Sequence, residues 1–173
     1  MNRKHKNSHD NSTRLGIDIG RVIISPFDLS GDDTQFLNGS EAVAMQTPPS
    51  PGAFEVIREL SEACAGNIWI VSKCGPKIEA RSRRWLSHHE FYARAGVDPR
   101  RLRFCRARKD KAQIALKLGL THFIDDRVDV LCHLTGLVRH RYLFGPQRGP
   151  TPAWAIAVPD WQHARGAVLA RLG

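Results

Sequence analysis

Three aspartates, a serine and two lysines occupy the positions in this chain where chemistry is easiest to build. Asp18 interrupts the first apolar run, Ser72 closes the second, and the pair Asp125-Asp126 closes a later one, with Lys109 and Lys111 just ahead of the helix that leads into it. Carboxylates gathered at one place repel, and each resists ionising beside the other unless a cation intervenes. Mg²⁺ is the natural cation for such a set, because it takes hard oxygen ligands and joins one or two carboxylates to a phosphate. Each residue also has a plainer use. Asp18 would serve as a helix cap or turn residue, Ser72 as a strand-end hydroxyl, and Asp125-Asp126 as the cap of the following helix, where aspartate is favoured. The functional reading rests on the whole set.

The elements that must position these residues can be read from apolar periodicity. A short Ile-rich run over 15–19, extending toward 24, reads as a buried parallel strand carrying a functional residue near its carboxyl end. Residues 25–51 form an irregular excursion, punctuated by Pro26, Gly31, Gly39, Pro48, Pro49 and Pro51, and longer than a compact domain carries without purpose. Pro51-Gly52 opens a helix with Phe54, Ile57, Leu60 and Cys64 on one face. Strands follow at 68–71, 102–105 and 122–125, with two more within 137–144 and 155–158. Helices are predicted from Pro76, with Ile78, Trp85 and Leu86 inward and Arg81, Arg83 and Arg84 outward; from Asp110 as N-cap to Gly119; over 128–136; and over 161–172. This alternation predicts a three-layer, Rossmann-like α/β fold with a mainly parallel central sheet. Right-handed crossovers then bring the strand ends to one edge, where such folds bind ligands. The domain reading is a disordered basic tail over 1–14 and a single domain over 15–173.

Four segments, in order, resemble the motifs of the haloacid dehalogenase superfamily: Gly16-Ile17-Asp18-Ile19-Gly20, then Val71-Ser72-Lys73, then Lys109 or Lys111, then Phe123-Ile124-Asp125-Asp126-Arg127. The resemblance spans roughly 15–144, and each motif falls at a strand or helix end. It implies that Asp18 is a nucleophile forming an aspartyl-phosphate, and that Mg²⁺ is held by Asp18, the Gly20 carbonyl and Asp125 or Asp126. It further implies that Ser72 donates to the transferred phosphoryl group, with Lys73 beside it. A lysine, Lys111 in preference to Lys109, would neutralise another phosphoryl oxygen. The function implied is that of a Mg²⁺-dependent phosphatase or phosphotransferase acting on a phosphorylated small molecule or other anionic substrate.

The first motif departs from the family pattern. Where the family usually carries a second aspartate, serving as general acid and base, this chain has Gly20. A positioned acid or base contributes about 10²- to 10⁴-fold, so the domain is expected to favour good leaving groups, to borrow Asp28, Asp32 or Asp33 from the excursion, or to bind without turnover. The excursion stands where the family inserts a cap, but is too short for a helical cap domain. Between Lys73 and Lys109 one helix and one strand leave no room for a second cap, so the site is expected to be open.

Composition bounds the rest. The 173 residues, 42% hydrophobic and 25% charged, suit one globular domain without an apolar run long enough to span a bilayer. The polar N-terminus has no signal-peptide core, and Cys64, Cys74, Cys105 and Cys132 are too dispersed for a zinc site, so a cytoplasmic chain with reduced thiols is expected. Part of the net charge of +9 sits in the tail, in Arg3, Lys4, Lys6 and Arg14 against Asp10, and a denser basic run lies inside the domain: Arg100, Arg101, Arg103, Arg106, Arg108, Lys109 and Lys111. That run has three readings: a solvated face, an approach for anionic substrate, or a sequence-independent nucleic-acid contact. His88, His89, His122 and His133 are assigned to surface or packing, Arg127 to a structural or exposed role, and Trp154 and Trp161 to core or lid. Oligomeric state has no sequence signal.

Overall fold

A computed structural model describes residues 12–28, 31 and 34–173. Six strands form one sheet: β1 (Leu15–Ile17), β2 (Ile68–Lys73), β3 (Leu102–Cys105), β4 (His122–Asp125), β5 (His140–Phe144) and β6 (Ile156–Val158). The spatial order is β3-β2-β1-β4-β5-β6, and every pairing is parallel. Seven α-helices accompany them among the described residues: α1 (Glu41–Gln46), α2 (Ala53–Ala63), α3 (Pro76–His88), α4 (Phe91–Ala95), α5 (Asp110–Leu118), α6 (Val128–His133) and α7 (Trp161–Leu169).

The strands alternate their side chains between two cores. Ile68 and Ile70 point to one face, with Leu15, Ile17, Ile124 and Tyr142; there they meet Phe54, Ile57 and Leu60 of α2, Trp85 of α3, Phe91 of α4 and Trp161 of α7. Trp69 and Val71 point to the other, with Phe123 and Leu143, against Ala115 of α5 and Leu131 of α6. Both faces are covered, which is why the strands read as near-continuous apolar runs. The result is the three-layer Rossmann-like α/β architecture. Gly16 lets β1 and β4 close: it lies in register with Phe123, and a Cβ there would stand 2.5 Å from the Phe123 ring.

From β1 the chain builds outward through β2 to β3, then returns to the opposite side of β1 with β4. The carboxyl ends of β1 and β4 therefore flank a topological switch point, the place where parallel sheets of this kind open a crevice.

Several elements differ from the sequence reading. The apolar run 15–24 is not one strand. β1 stops at Ile17, Arg21 takes a left-handed φ of 61°, and the Ile23 and Ile24 amides turn back to the Ile19 carbonyl. Ile19, Val22, Ile23 and Ile24 stay buried by packing in a tight loop, while Gly20 and Arg21 are exposed. Two short helices, α1 and α4, lie in segments without a readable period. At the start of α5 the N-cap is Lys109, and Asp110 instead accepts from the Ala107 amide at 2.9 Å. Thr13 and Arg14, assigned to the tail, are tied in. The Arg14 carbonyl accepts from the Thr121 and His122 amides, and its guanidinium donates to the Leu118 carbonyl at 2.9 Å. Residues 1–11 of that segment lie outside the described residues, as do Asp32 and Asp33.

The largest departure is Arg81. Expected to face outward, it is 4% exposed and donates to the carbonyls of Phe36 (2.7 Å), Leu37 (3.2 Å) and Gly39 (3.0 Å), with Glu41 as its ion-pair partner. The excursion is thus pinned to α3. Its ends are fastened too: the Ser25 amide donates to the Pro48 carbonyl, the Ser50 amide to that of Ile23, and the Trp85 indole to that of Thr47. Among the described residues no helix is long and apolar enough to cross a membrane.

Candidate functional site

Asp18 is the first residue beyond β1, and its amide donates to the Ile124 carbonyl at 3.0 Å. Asp125 ends β4 and Asp126 follows it. The switch point brings all three together, one carboxylate oxygen of each lying within 4.8 Å of the others. Lys111, in the first turn of α5, inserts its ammonium between two of them, 2.8 Å from Asp18 Oδ1 and 2.7 Å from Asp125 Oδ2.

Helical geometry decides between the two lysines. Positions 109 and 111 differ by about 200° around the axis, so only one can face the strand ends. Lys111 is 2% exposed, whereas Lys109 lies on the surface. A buried lysine side chain is costly unless its charge is met. Here burial alone would depress the ammonium, but Asp18 and Asp125 more than offset it and hold it above its ordinary range.

The carboxylates are not equivalent. Asp125 is fully buried; one oxygen accepts from Lys111 and the other from the Arg127 amide at 3.0 Å, so both are engaged. Burial drives its carboxyl upward, and Lys111 pulls against that. Asp126 is pushed up to about 6, first by burial and then by the Asp18 charge, with Arg21 and Arg127 opposing. Its Oδ2 meets Arg21 Nε at 3.2 Å, through a guanidinium that is largely exposed. Asp18 Oδ1 has the Lys111 ion pair but accepts no hydrogen bond of ordinary geometry.

Three carboxylates converge here on one buried ammonium, which meets Asp18 and Asp125, while Asp126 is met, among the described residues, only by the largely exposed Arg21. An all-oxygen donor set of this kind suits a hard divalent cation, so the residues present fit Mg²⁺.

Asp18, Asp126 and Lys111 border a cavity of about 230 Å³. Ser72, buried near the end of β2, and the exposed Lys73 line one side of it. Gly20, Arg21, Arg108 and Arg127 line it as well, and Phe36 and Leu37 of the excursion form part of its wall. Cys74 also borders it, but burial, reinforced by Glu79, pushes its thiol up to about 11, which disfavours the thiolate. At Gly20 an added Cβ would meet nothing within 4 Å, so there is room for a side chain at this position.

Sequence reasoning does not single out Arg21, because the flanking isoleucines and valine read as strand; the Gly20-Arg21 step is the available signal for a turn. The basic run is mostly absorbed locally. Arg100 pairs with Asp98, Arg106 with Glu79 and Arg108 with Asp129, Arg101 lies over the Trp69 ring, and Arg103 donates to the Arg100 and Leu102 carbonyls. Lys111 and Arg108 alone in that run border the cavity. His122 is buried in packing, His89 stacks on Trp85, and Trp161 is core. The chain matches no protein-family model and no curated protein sequence.

Proposed function

We propose that this chain is a Mg²⁺-dependent phosphatase or phosphotransferase of the haloacid dehalogenase type, acting through Asp18. One observation carries the reading: the tips of β1 and β4 converge so that Asp18, Asp125 and Asp126 share one small volume, with Lys111 buried between two of them. Asp18, Asp126 and the Gly20 carbonyl would hold Mg²⁺, with Asp125 close by; the ion, when bound, offsets charge on the attacking carboxylate and the phosphoryl oxygens together.

The chain's own residues account for the rest. An Asp18 oxygen attacks phosphorus, the bond to the leaving oxygen breaks with its electron pair, and water later cleaves the aspartyl-phosphate to return Asp18 and inorganic phosphate. Lys111 orients Asp18 and supplies positive charge beside it, while Asp125 fixes Lys111. Ser72 and Lys73, at the cavity wall, offer donors to the phosphoryl oxygens. Gly20 carries no proton donor, so leaving groups that depart unprotonated, such as aryl or acyl phosphates, are the favoured class.

That same glycine favours a second reading, a binding module for a phosphorylated ligand or nucleic acid that has lost turnover. A panel of aryl, acyl and alkyl phosphates assayed with and without Mg²⁺ separates the two. Phosphate release that requires Mg²⁺ and disappears in Asp18→Asn supports the enzyme; Mg²⁺-dependent ligand binding without any product supports the module. The dispersed cysteines, three of them buried and none in a disulfide, support a cytoplasmic setting.

A further inference from the structure

Beside the phosphoryl cavity runs a second, larger one of about 860 Å³, which shares Arg21, Asp126 and Arg127 with it. Its volume is in the range of sites that enclose a whole organic ligand. Its far wall is the loop after β5. Gln147 latches that loop to the first site, its side-chain amide donating to the carbonyls of Phe144 at 2.9 Å and Asp126 at 3.3 Å. The next residue, Arg148, lines the groove and has no ion-pair partner among the described residues. Trp154 forms an apolar side of the same groove.

The charges here are unevenly matched. Arg127 and Arg108 both engage Asp129, and Arg21 engages Asp126, which leaves Arg148 over. Arg21 stands at the junction, in a left-handed backbone conformation that L side chains rarely adopt. Its only ion-pair partner among the described residues is Asp126, a carboxylate that the proposed metal site would claim. Once Asp126 is engaged elsewhere, Arg21 and Arg148 present two guanidinium groups to one groove without a protein anion to receive them. Guanidinium groups recognise carboxylate and phosphate.

We infer that this groove receives the leaving-group half of the substrate and that this half carries a second anionic group, a carboxylate or phosphate, bound by Arg21 and Arg148. The inference rests on the proposed phosphoryl site and names the substrate class for it: organic phosphates with two separated anionic groups.

The test uses the whole chain with Mg²⁺ and two phosphonates that cannot turn over, benzylphosphonate and 4-carboxybenzylphosphonate, their dissociation constants read by calorimetry. The carboxylate-bearing probe is expected to bind about tenfold more tightly. That ratio is expected to fall toward one in Arg148→Gln and in Arg21→Gln. Equal binding of the two probes to the parent protein, both competing with inorganic phosphate, overturns the second-anion subsite while leaving the phosphoryl site standing. A ratio near ten that survives in both variants also overturns it, because the selectivity would then come from elsewhere. Failure of inorganic phosphate and of both probes to bind removes the phosphoryl site itself, and the subsite with it.

Discussion

Replacing Lys111 by methionine tests the electrostatic keystone of the site. The substitution keeps an unbranched stem, one atom shorter, and removes the ammonium that lies 2.8 Å from Asp18 and 2.7 Å from Asp125. Both partners are left in a pocket where Asp125 has no exposure and Asp18 only 7%. Removing one member of a buried ion pair costs about 3–5 kcal/mol, because the other charge stays buried and unpaired. In a domain of this size that lowers Tm by roughly 6–20 °C. The pH dependence follows from the sign of the Asp125 shift. Its carboxyl is already raised by burial, and without Lys111 it rises further. The folded variant therefore takes up a proton at a pH where the unfolded chain does not, and its stability increases as pH falls. Urea unfolding of parent and variant without added Mg²⁺, at pH 8, 7 and 5.5, should show a deficit that is largest at pH 8 and narrows toward pH 5.5. A deficit below about 1 kcal/mol, or one independent of pH, would refute the claim that Lys111 neutralises this cluster.

Three further outcomes follow from particular residues. Gly20→Asp, which meets nothing within 4 Å at its Cβ, should fold normally and raise turnover of alkyl phosphates by about 10²- to 10⁴-fold; an unchanged rate in a steady-state assay would show that another group already supplies the proton. Arg81→Met should destabilise the protein by about 2–4 kcal/mol, since three carbonyls and Glu41 lose their donor; limited proteolysis should then cut first within 25–51, and unaltered cleavage would mean the excursion is held by other contacts. His122 is buried, its imidazole pushed down to about 4 by burial and by His140. The folded state therefore resists protonation, and His122 costs the parent stability as pH falls from about 6.5 through about 4, by roughly 3 kcal/mol at the acid end. His122→Gln should gain stability relative to the parent across that window in chemical denaturation; parallel curves would contradict it.

The strand ends are legible in the sequence because a charged or polar group at the end of a buried apolar run is costly to keep unless a partner receives it. Asp18, Ser72 and Asp125 each follow a run of isoleucine, valine or phenylalanine, and the parallel alternation sets those runs side by side. Lys111 is legible by its place at a helix start, although the choice over Lys109 needs the helix's angular phase. What the sequence conceals has a common cause. Arg81 finds its partners in carbonyls of an irregular segment, and backbone acceptors leave no trace in side-chain patterns. Arg21 sits in an apolar stretch whose burial comes from loop packing, so periodicity suggests strand where a left-handed turn stands. The helices α1 and α4, of six and five residues, are too short for a 3.6-residue period to emerge. The groove beyond Asp126 is assembled from the loop after β1, the turn after β4 with α6, and the end of β5 with the loop that follows, segments distant in sequence that only the sheet order makes neighbours.

The most direct test of the central claim is to look for the covalent intermediate. The protein is mixed with acetyl phosphate and Mg²⁺, quenched in acid, digested and sequenced by mass spectrometry. Catalysis through Asp18 requires one phosphoryl group on the peptide bearing Asp18, dependent on Mg²⁺ and missing from Asp18→Asn. Phosphorylation elsewhere, or none on Asp18 while acetyl phosphate is being consumed, would contradict it.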